Sequence, residues 1–446
     1  MTRYRRDPSW RQPGDGKVVI AGSPLRLFRI STGGARVLAL ATTGEQPDTP
    51  TVDGLLDRLV VAGALHPLPE GGPFDANDVT VVMPVKGNHP VPPPGMRTIV
   101  VDDGSDPPID AIAGATVIRL ESNQGPAAAR NAGLDHVTTP LVAFVDADIE
   151  VTDRWLEPLL AHFTDRRVAL VAPRVAGSPG HGAIAVYEQR HSPLDLGTVP
   201  ARVAAGTRVS YVPAATIVCH TETLRTIGGF DTDLRVGEDV DLVWRLVAHG
   251  HRCRYEPASV VHHRPRTSWF DLLRQRVGYG RSAAPLERRH PGALAPVRMS
   301  GWSAGVWALV ALRRPWSAVA LAGATVVALQ RRLGSVPRAE SARLVVRGHL
   351  LAGRQLAKGI TRVWWPLALV AAVAVPRSRV PIAAAVVLPS AVEALTVRSL
   401  APLRDAPMLL ADEMAYGAGV WWGVLEERRI AAMKPAFTTW PKRGDG

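Results

Sequence analysis

The sequence predicts an α/β fold, with a sheet whose ligand lies at the carboxyl ends of its strands. Three observations predict it. Between residues 78 and 265, the β-rich runs VTVVMPV, RTIVVDD, TVIRLE and LVAFVDAD alternate with helical segments. Alternation of this kind stacks helices against a sheet. The runs end in polar or acidic residues, so the chemistry gathers at their carboxyl ends. Between the last two runs, GPAAARNAGLDHV reads as a helix with Pro126 in its first turn.

Taken in order, residues 1–75 open with a polar stretch that reads as loose. VVIAG and LRLFRI follow as short strands around a Gly-Ser-Pro turn. A helical patch covers residues 34–40. A second helix begins near Thr51, with Leu55, Leu56, Leu59 and Val60 on one face and Gly63 as its stop. This is a small β/α unit, closed by the turn-rich linker PLPEGGPFDAND. Residues 76–290 hold the sheet.

Residues 291–446 change character. Uncharged apolar runs at 299–312, 315–330, 363–376 and 380–392 are separated by breaks such as Arg313-Arg314, Arg331-Arg332 and Arg377-Ser378-Arg379. A membrane-spanning helix needs about 20 apolar residues, and runs of 10–14 are more often buried or interfacial. These runs fall between the two cases. Trp302, Trp307, Trp316, Trp364, Trp365, Trp421 and Trp422 stand near their ends, where an aromatic belt belongs. The expectation is a helical, membrane-associated region at the cytoplasmic face, against an ordinary helical subdomain.

The chain carries 52 Lys and Arg against 40 Asp and Glu, a net charge of +12. That balance suits anionic partners such as phosphates or lipid headgroups. Nucleic acid is disfavoured, because the arginines are scattered and no zinc-finger or RNA-binding signature occurs. Two cysteines, Cys219 and Cys253, exclude a disulfide framework and a cysteine-based zinc site. The polar N-terminus lacks the apolar core of a secretory peptide.

FVDAD, residues 144–148, is the most informative stretch. Its apolar run feeds into two carboxylates spaced i, i+2, which along an extended strand share one face. Like charges at the end of a buried strand require compensation, and a hard divalent metal holding phosphates supplies it. Pro84, Asp102 and Asp103 end two earlier runs. An aspartate there can bond a nucleobase or ribose, but DDGS is also ordinary turn chemistry. In residues 122–133, Gly125 precedes a helix start and Arg130 lies a turn and a half inside, placed to receive phosphate charge. The alternative is a capped helix packed closely on the sheet. GGFD, residues 228–231, is a tight turn. Glu238 and Asp239 open an amphipathic helix. They serve either its dipole or the deprotonation of an acceptor hydroxyl.

The ordered set MPV, VVDDGS, NQGPAAARNAG, FVDAD, GGFD and GEDVDLVWRL resembles the inverting family 2 glycosyltransferases of GT-A (Rossmann-like) fold. The resemblance implies that Asp103 reads a uracil-type base, with Asp102 beside it. It implies that Asp146 and Asp148 hold a divalent metal, Mg²⁺ or Mn²⁺, with Asp148 the more direct ligand. Asp239 would be the general base and Glu238 its support. His262, in VVHHRPR, matches a histidine that some members use as a further metal ligand, although a lone histidine is more often structural.

Two departures stand out. Only KGNHPVPPPG lies between Val85 and the next run, where the family places a helix, and Lys86 replaces a small or acidic residue. A Gln-x-x-Arg-Trp motif is absent, and Gln275–Tyr279 is at best a remnant. Residues 1–75 are similar to the small winged-helix-like peptide-binding domains of the PQQ peptide-chaperone family, which bind precursor peptides by strand addition. The three-part order resembles the mycofactocin biosynthesis glycosyltransferases. That resemblance implies a UDP-sugar donor, glucose first, and a peptide-derived redox cofactor or its precursor as acceptor. Transfer to cell-envelope glycan or lipid is the alternative activity, and a non-catalytic scaffold the alternative class.

Overall fold

A computed structural model describes residues 2–438 apart from 88, 89 and 267. It divides into two compact units that meet at residues 267/268.

The first unit opens with a module of β1 (Arg3–Arg6), β2 (Val18–Ala21), β3 (Arg26–Arg29), α1 (Thr32–Leu40), α2 (Pro50–Val61) and β4 (Leu65–Leu68). β1 pairs antiparallel with β4, and β2 with β3. Thr49 caps α2 by accepting from the Val52 amide, Pro50 sits in its first turn, and Gly63 follows at φ +68°. Val19, Phe28, Leu38, Leu56, Leu59 and Leu65 form the core. Two expectations are corrected. The stretch read as loose contains β1, and the linker's first residues belong to β4. Buried Asp7 anchors this pairing: its Oδ2 lies 2.9 Å from His66 Nε2 and accepts from Arg208 Nη1 at 2.8 Å. Nothing in local periodicity announces bonds of that reach.

The large sheet contains β5 (Val79–Val85), β6 (Arg97–Asp103), β7 (Ala115–Leu120), β8 (Leu141–Val145), β9 (Ile149–Val151), β10 (Val168–Gly177), β11 (Ala201–Val203), β12 (Thr216–His220) and β13 (Arg252–His263). Its order is β11-β13-β10-β12-β8-β5-β6-β7, with β9 on β13. β8, β5, β6 and β7 run parallel, so their carboxyl ends share one rim. β12 runs antiparallel between β8 and β10. Among the described residues the β5–β6 connection carries no helix, as its sequence suggests. Helices α3 (Pro126–Asp135), α4 (Glu157–Leu160), α5 (Ala183–His191), α6 (Thr221–Thr226) and α7 (Glu238–Ala248) complete the unit.

α3 lies directly on the sheet. A Cβ on Gly133 would fall 2.4 Å from Val82 Cγ1 and 3.1 Å from Val101 Cγ2, so only glycine allows this approach.

The second unit comprises α8 (Trp269–Arg281), α9 (Ala283–Arg289), β14 (Arg298–Ser300), α10 (Gly301–Ala311), α11 (Pro315–Arg332), α12 (Arg338–Arg362), α13 (Trp365–Ala374), α14 (Arg379–Val397), α15 (Ala401–Glu427) and β15 (Ala436–Thr438). The boundary expected at 290/291 lies instead at 267/268. α8 belongs with α15, because glycines let their backbones touch. A Cβ on Gly280 would lie 1.9 Å from Tyr416 O, and one on Gly419 2.0 Å from Val277 O. Buried Arg276 bonds Asp412 at 2.7 Å. Pro376–Val397, 22 residues, is long and apolar enough to cross a bilayer, and little of its apolar stretch is buried. α12 and α13 form a pair bent by 86°.

Gly133→Ala should destabilise the first unit by about 1–3 kcal/mol through overpacking. Gly54→Ala, in α2 with nothing within 4 Å of the added Cβ, should instead stabilise it by about 0.5–1 kcal/mol. Urea unfolding midpoints compare the two, and equal effects would remove the role given to close packing at Gly133.

Candidate active site

The buried strand β8 ends at Val145, and Asp146, Ala147 and Asp148 form a turn closed by the Ile149 amide donating to Asp146 O at 3.0 Å. The carboxylates therefore do not share the face of an extended strand, as their spacing suggests. The turn holds them near each other while Asp146 faces Arg130 and Asp148 faces His263.

Asp146 Oδ1 accepts from Arg130 Nη2 at 2.8 Å. The Nη1 of the same guanidinium donates to Glu238 Oε1 at 2.7 Å. Arg130 is 3 % exposed, and its guanidinium lies 5.4 Å over the Phe230 ring. Burial opposes its charge, but Asp146 and Glu238 outweigh that and keep it firmly protonated. Beside it, Asn131 accepts from the Phe230 amide and donates to the Phe230 carbonyl, both at 2.8 Å. A Cβ on Gly229 would strike Asn131 Oδ1 at 2.5 Å, so the GGFD turn needs its glycine there. Arg130, read from sequence as a phosphate receiver, is instead the internal cation that joins FVDAD to the start of α7. It supplies part of the compensation that the sequence argument assigned to a metal.

Asp239 follows Glu238 at the start of α7. Its Oδ1 accepts from the Val240 amide at 2.8 Å, and its Oδ2 from the Ala214 amide at 3.3 Å. Burial, and then the neighbouring Glu238, push its carboxyl up to about 7. A base poised near neutrality suits proton transfer. The next residue in the 214–215 segment, Ala215, accepts from the Asp146 amide at 2.9 Å, so this short segment bonds the backbone of Asp146 and the carboxylate of Asp239. Sequence reasoning missed it, and small residues in VPAAT gave little signal.

At the β6 end, Asp102 is fully buried and accepts from the amides of Ser105 and Ile109 and from Arg119. It builds the turn and is not offered to a ligand. Asp103 is 5 % exposed and accepts from the Gln124 amide at 2.7 Å and the Gly125 amide at 2.9 Å. That carboxylate locks the start of α3 to the β6 rim, and any contact with a base would come in addition to these two bonds. Gly125 caps α3 at φ +95°, where glycine is favoured. Pro84 stands half-buried near the end of β5, opposite Val101.

His262 does not join the aspartates. Successive strand side chains face opposite ways, and it is His263 whose Nε2 lies 3.2 Å from Asp148 Oδ2. His262 Nδ1 is buried without a hydrogen-bond partner. Of the two histidines in VVHH, the one beside Asp148 is thus His263. Burial works to raise Asp148, but His263 outweighs it and holds that carboxyl below its usual range. Burial pushes Asp146 up, opposed by Arg130 and reinforced by Asp148.

Among the described residues no group of three or more His, Cys, Asp or Glu is placed to hold a metal ion. Asp148, with its side chain 44 % exposed, and His263 offer an oxygen and a nitrogen. Asp146 keeps its second oxygen outside the bond to Arg130. Ions of the Mg²⁺ or Mn²⁺ type take one or two carboxylates and complete their shells with water and phosphate, so Asp148 and His263 are the groups here whose chemistry suits one.

Comparison with known proteins agrees with this geometry. The family described as "Glycosyl transferase family 2" matches residues 86–214, which include both aspartate pairs. The pre-mycofactocin glycosyltransferase of Mycobacterium tuberculosis is 40 % identical over 453 residues, covering 96 % of this chain and 96 % of that one. The succinoglycan biosynthesis protein ExoU of Rhizobium meliloti is 30 % identical over 190 residues, 38 % of this chain and 55 % of that protein. A mannosyltransferase from Pyrobaculum calidifontis, solved with GDP-Man and Mn²⁺, is 18 % identical at a TM-score of 0.35, covering 64 % of this chain and 84 % of that one. A likeness that loose carries no further argument.

Arg130→Met would leave Glu238 buried without its cation and Asp146 half-paired. Breaking such a pair costs about 3 kcal/mol or more, which urea unfolding should register. Arg154→Met, which removes an exposed pair with Glu157, should leave the midpoint unmoved. Equal midpoints for the two variants would contradict the role of Arg130.

Proposed function

The chain belongs to the pre-mycofactocin glycosyltransferases, within glycosyl transferase family 2, and from that premise we propose how its residues divide the chemistry. It is a glycosyltransferase acting in mycofactocin biosynthesis. The proposed reaction moves a hexose, glucose first, from a UDP-sugar to a hydroxyl of the peptide-derived redox cofactor or its precursor. Configuration at the anomeric carbon inverts.

One observation carries this reading: a single buried guanidinium bonds both Asp146 and Glu238, so the diphosphate side and the acceptor side lie on either hand of Arg130. Asp148 and His263, with Asp146, would hold the divalent ion. When bound, that ion supplies the charge that neutralises the leaving diphosphate. Asp239 takes the proton of the acceptor hydroxyl. The acceptor oxygen then forms a bond to the anomeric carbon as the bond to the diphosphate oxygen breaks, and UDP departs. Glu238 does not move a proton; paired with Arg130, it positions Asp239. Closed to bulk water on its buried side, the carboxyl of Asp239 has the acidity this step asks for.

Membrane association of the second unit is supported by the apolar, little-buried helix within Pro376–Val397. Contact of residues 1–75 with a precursor peptide finds no support here and is left out of the proposal. The envelope-acceptor reading likewise has no observation in its favour.

Asp239→Asn should lower hexose transfer about 10²–10⁴-fold while the unfolding midpoint holds. Mass spectrometry of the acceptor after incubation with UDP-glucose reads the product, and full transfer by the variant would sink Asp239 as base. Because the base works when ionised and its carboxyl titrates near 7, transfer should rise about tenfold between pH 6 and pH 8. A flat profile over that range would place the proton transfer elsewhere. Chelation with EDTA should abolish the hexose increment, and Mg²⁺ or Mn²⁺ should restore it; transfer that survives chelation would remove the metal from the proposal.

A further inference from the structure

Arginines that are scattered along the sequence converge at one point in the first unit. A cavity of about 240 Å³ lies where the end of α2 meets the sheet, lined by Val61, Arg167, Arg202, His251, Arg252 and Arg254 among others. Arg252 and Arg254 begin β13, and His263 ends it, so the cavity lies at the opposite end of that strand from the aspartates.

The charges around it do not balance. Arg167 and Arg252 share Asp57 and Asp165, with bonds of 2.6–3.0 Å. Arg202 pairs with no carboxylate among the described residues; its Nη1 donates to Val61 O at 2.7 Å. Arg254 is 5 % exposed, and its Nε is buried with no hydrogen-bond partner. The nearby Glu256 is engaged with His162 at 2.9 Å. Arg202 and Arg254 stand opposite each other on β11 and β13, so both guanidiniums present to the same space. An unpaired buried guanidinium is costly to keep. Burial, and then Arg252, depress Arg254 to about 10, and burial with Arg26 and Arg252 lowers Arg202. Asp165 and Glu256 work against the depression of Arg254 without overcoming it.

We propose that this cavity binds a phosphate group, free or as a phosphomonoester, between the N-terminal module and the catalytic sheet. Two uncompensated guanidiniums call for two negative charges. Their forked donors match phosphate oxygens, and His251 adds a further ring donor. The volume exceeds a bare phosphate, which leaves room for part of an attached group. Bound there, the anion would fasten α2 of the module to β11 and β13, at a distance from the sugar chemistry.

The test uses the full chain in EDTA, without donor, at constant ionic strength. Inorganic phosphate should raise the thermal unfolding midpoint of the parent progressively, where chloride does not. Arg254→Met should weaken phosphate binding about tenfold or more. In chloride alone it should unfold no earlier than the parent, since it loses only an unpaired charge. Arg202→Met, which keeps Arg254, should weaken binding as well. Glucose 6-phosphate in place of phosphate separates the sources: equal or tighter binding indicates a phosphomonoester, and binding of phosphate alone indicates the free ion. A parent indifferent to phosphate would overturn the proposal. So would a shift retained in full by both variants, or an Arg254→Met chain that unfolds well below the parent in chloride.

Discussion

A buried cation must have its charge matched by its neighbours, and Arg130 is matched by two carboxylates from distant parts of the chain. One follows β8, and the other opens α7. The guanidinium also covers Phe230, whose backbone Asn131 holds from both sides, and Phe230 meets Phe144 edge to face at 5.1 Å. The turn after β8, the GGFD turn and the start of α7 are thereby fixed to consecutive residues of one helix. Close packing of Gly133 on Val82 and Val101 sets the height of that helix above the sheet. The same arrangement bears on acidity: Glu238 lies beside Asp239 and adds to burial in raising the Asp239 carboxyl.

How much of this could be read from sequence depended on how local its cause was. The parallel strands, the glycine stop after α2 and the shortened first crossover follow from periodicity and turn chemistry, and the structure has them. The α/β, GT-A reading and the family resemblance rested on motif order and are borne out by the full-length relative. What depended on pairing across the chain was not legible. β1 forms because Asp7 meets His66 and Arg208, residues that no spacing connects. Arg130 looked like a phosphate ligand because its internal partners were out of view. His262 and His263 differ only in which side of a strand they face, and a bare HH gives no sign of the register. Asp103 sits at the expected rim, yet its oxygens already accept from the start of α3.

The flanking regions obey the same physics to different ends. In the N-terminal module, two short helices and two ribbons enclose a small core, and salt bridges through Asp57 tie it to the sheet. Much of the chain's positive charge is absorbed in such internal pairs, so the net charge of +12 is a poor guide to partners by itself. The exception is the cavity at Arg202 and Arg254, which bond no carboxylate among the described residues. In the second unit, glycines bring α8 and α15 to backbone contact, while Trp316 and Leu395 remain 84 % and 80 % exposed. Apolar surface of that extent marks a face made for something other than water.

The coupling between Arg130 and Glu238 can be measured directly by a double-mutant cycle on hexose transfer. Rates for the parent, Arg130→Met, Glu238→Gln and the double variant give an interaction energy from kcat/KM. If one guanidinium holds the base in place through Glu238, the double variant should be little worse than the poorer single one, with a coupling of about 1 kcal/mol or more. Effects that add to within about 0.5 kcal/mol would show the two residues acting independently, and would contradict the central place given to this ion pair.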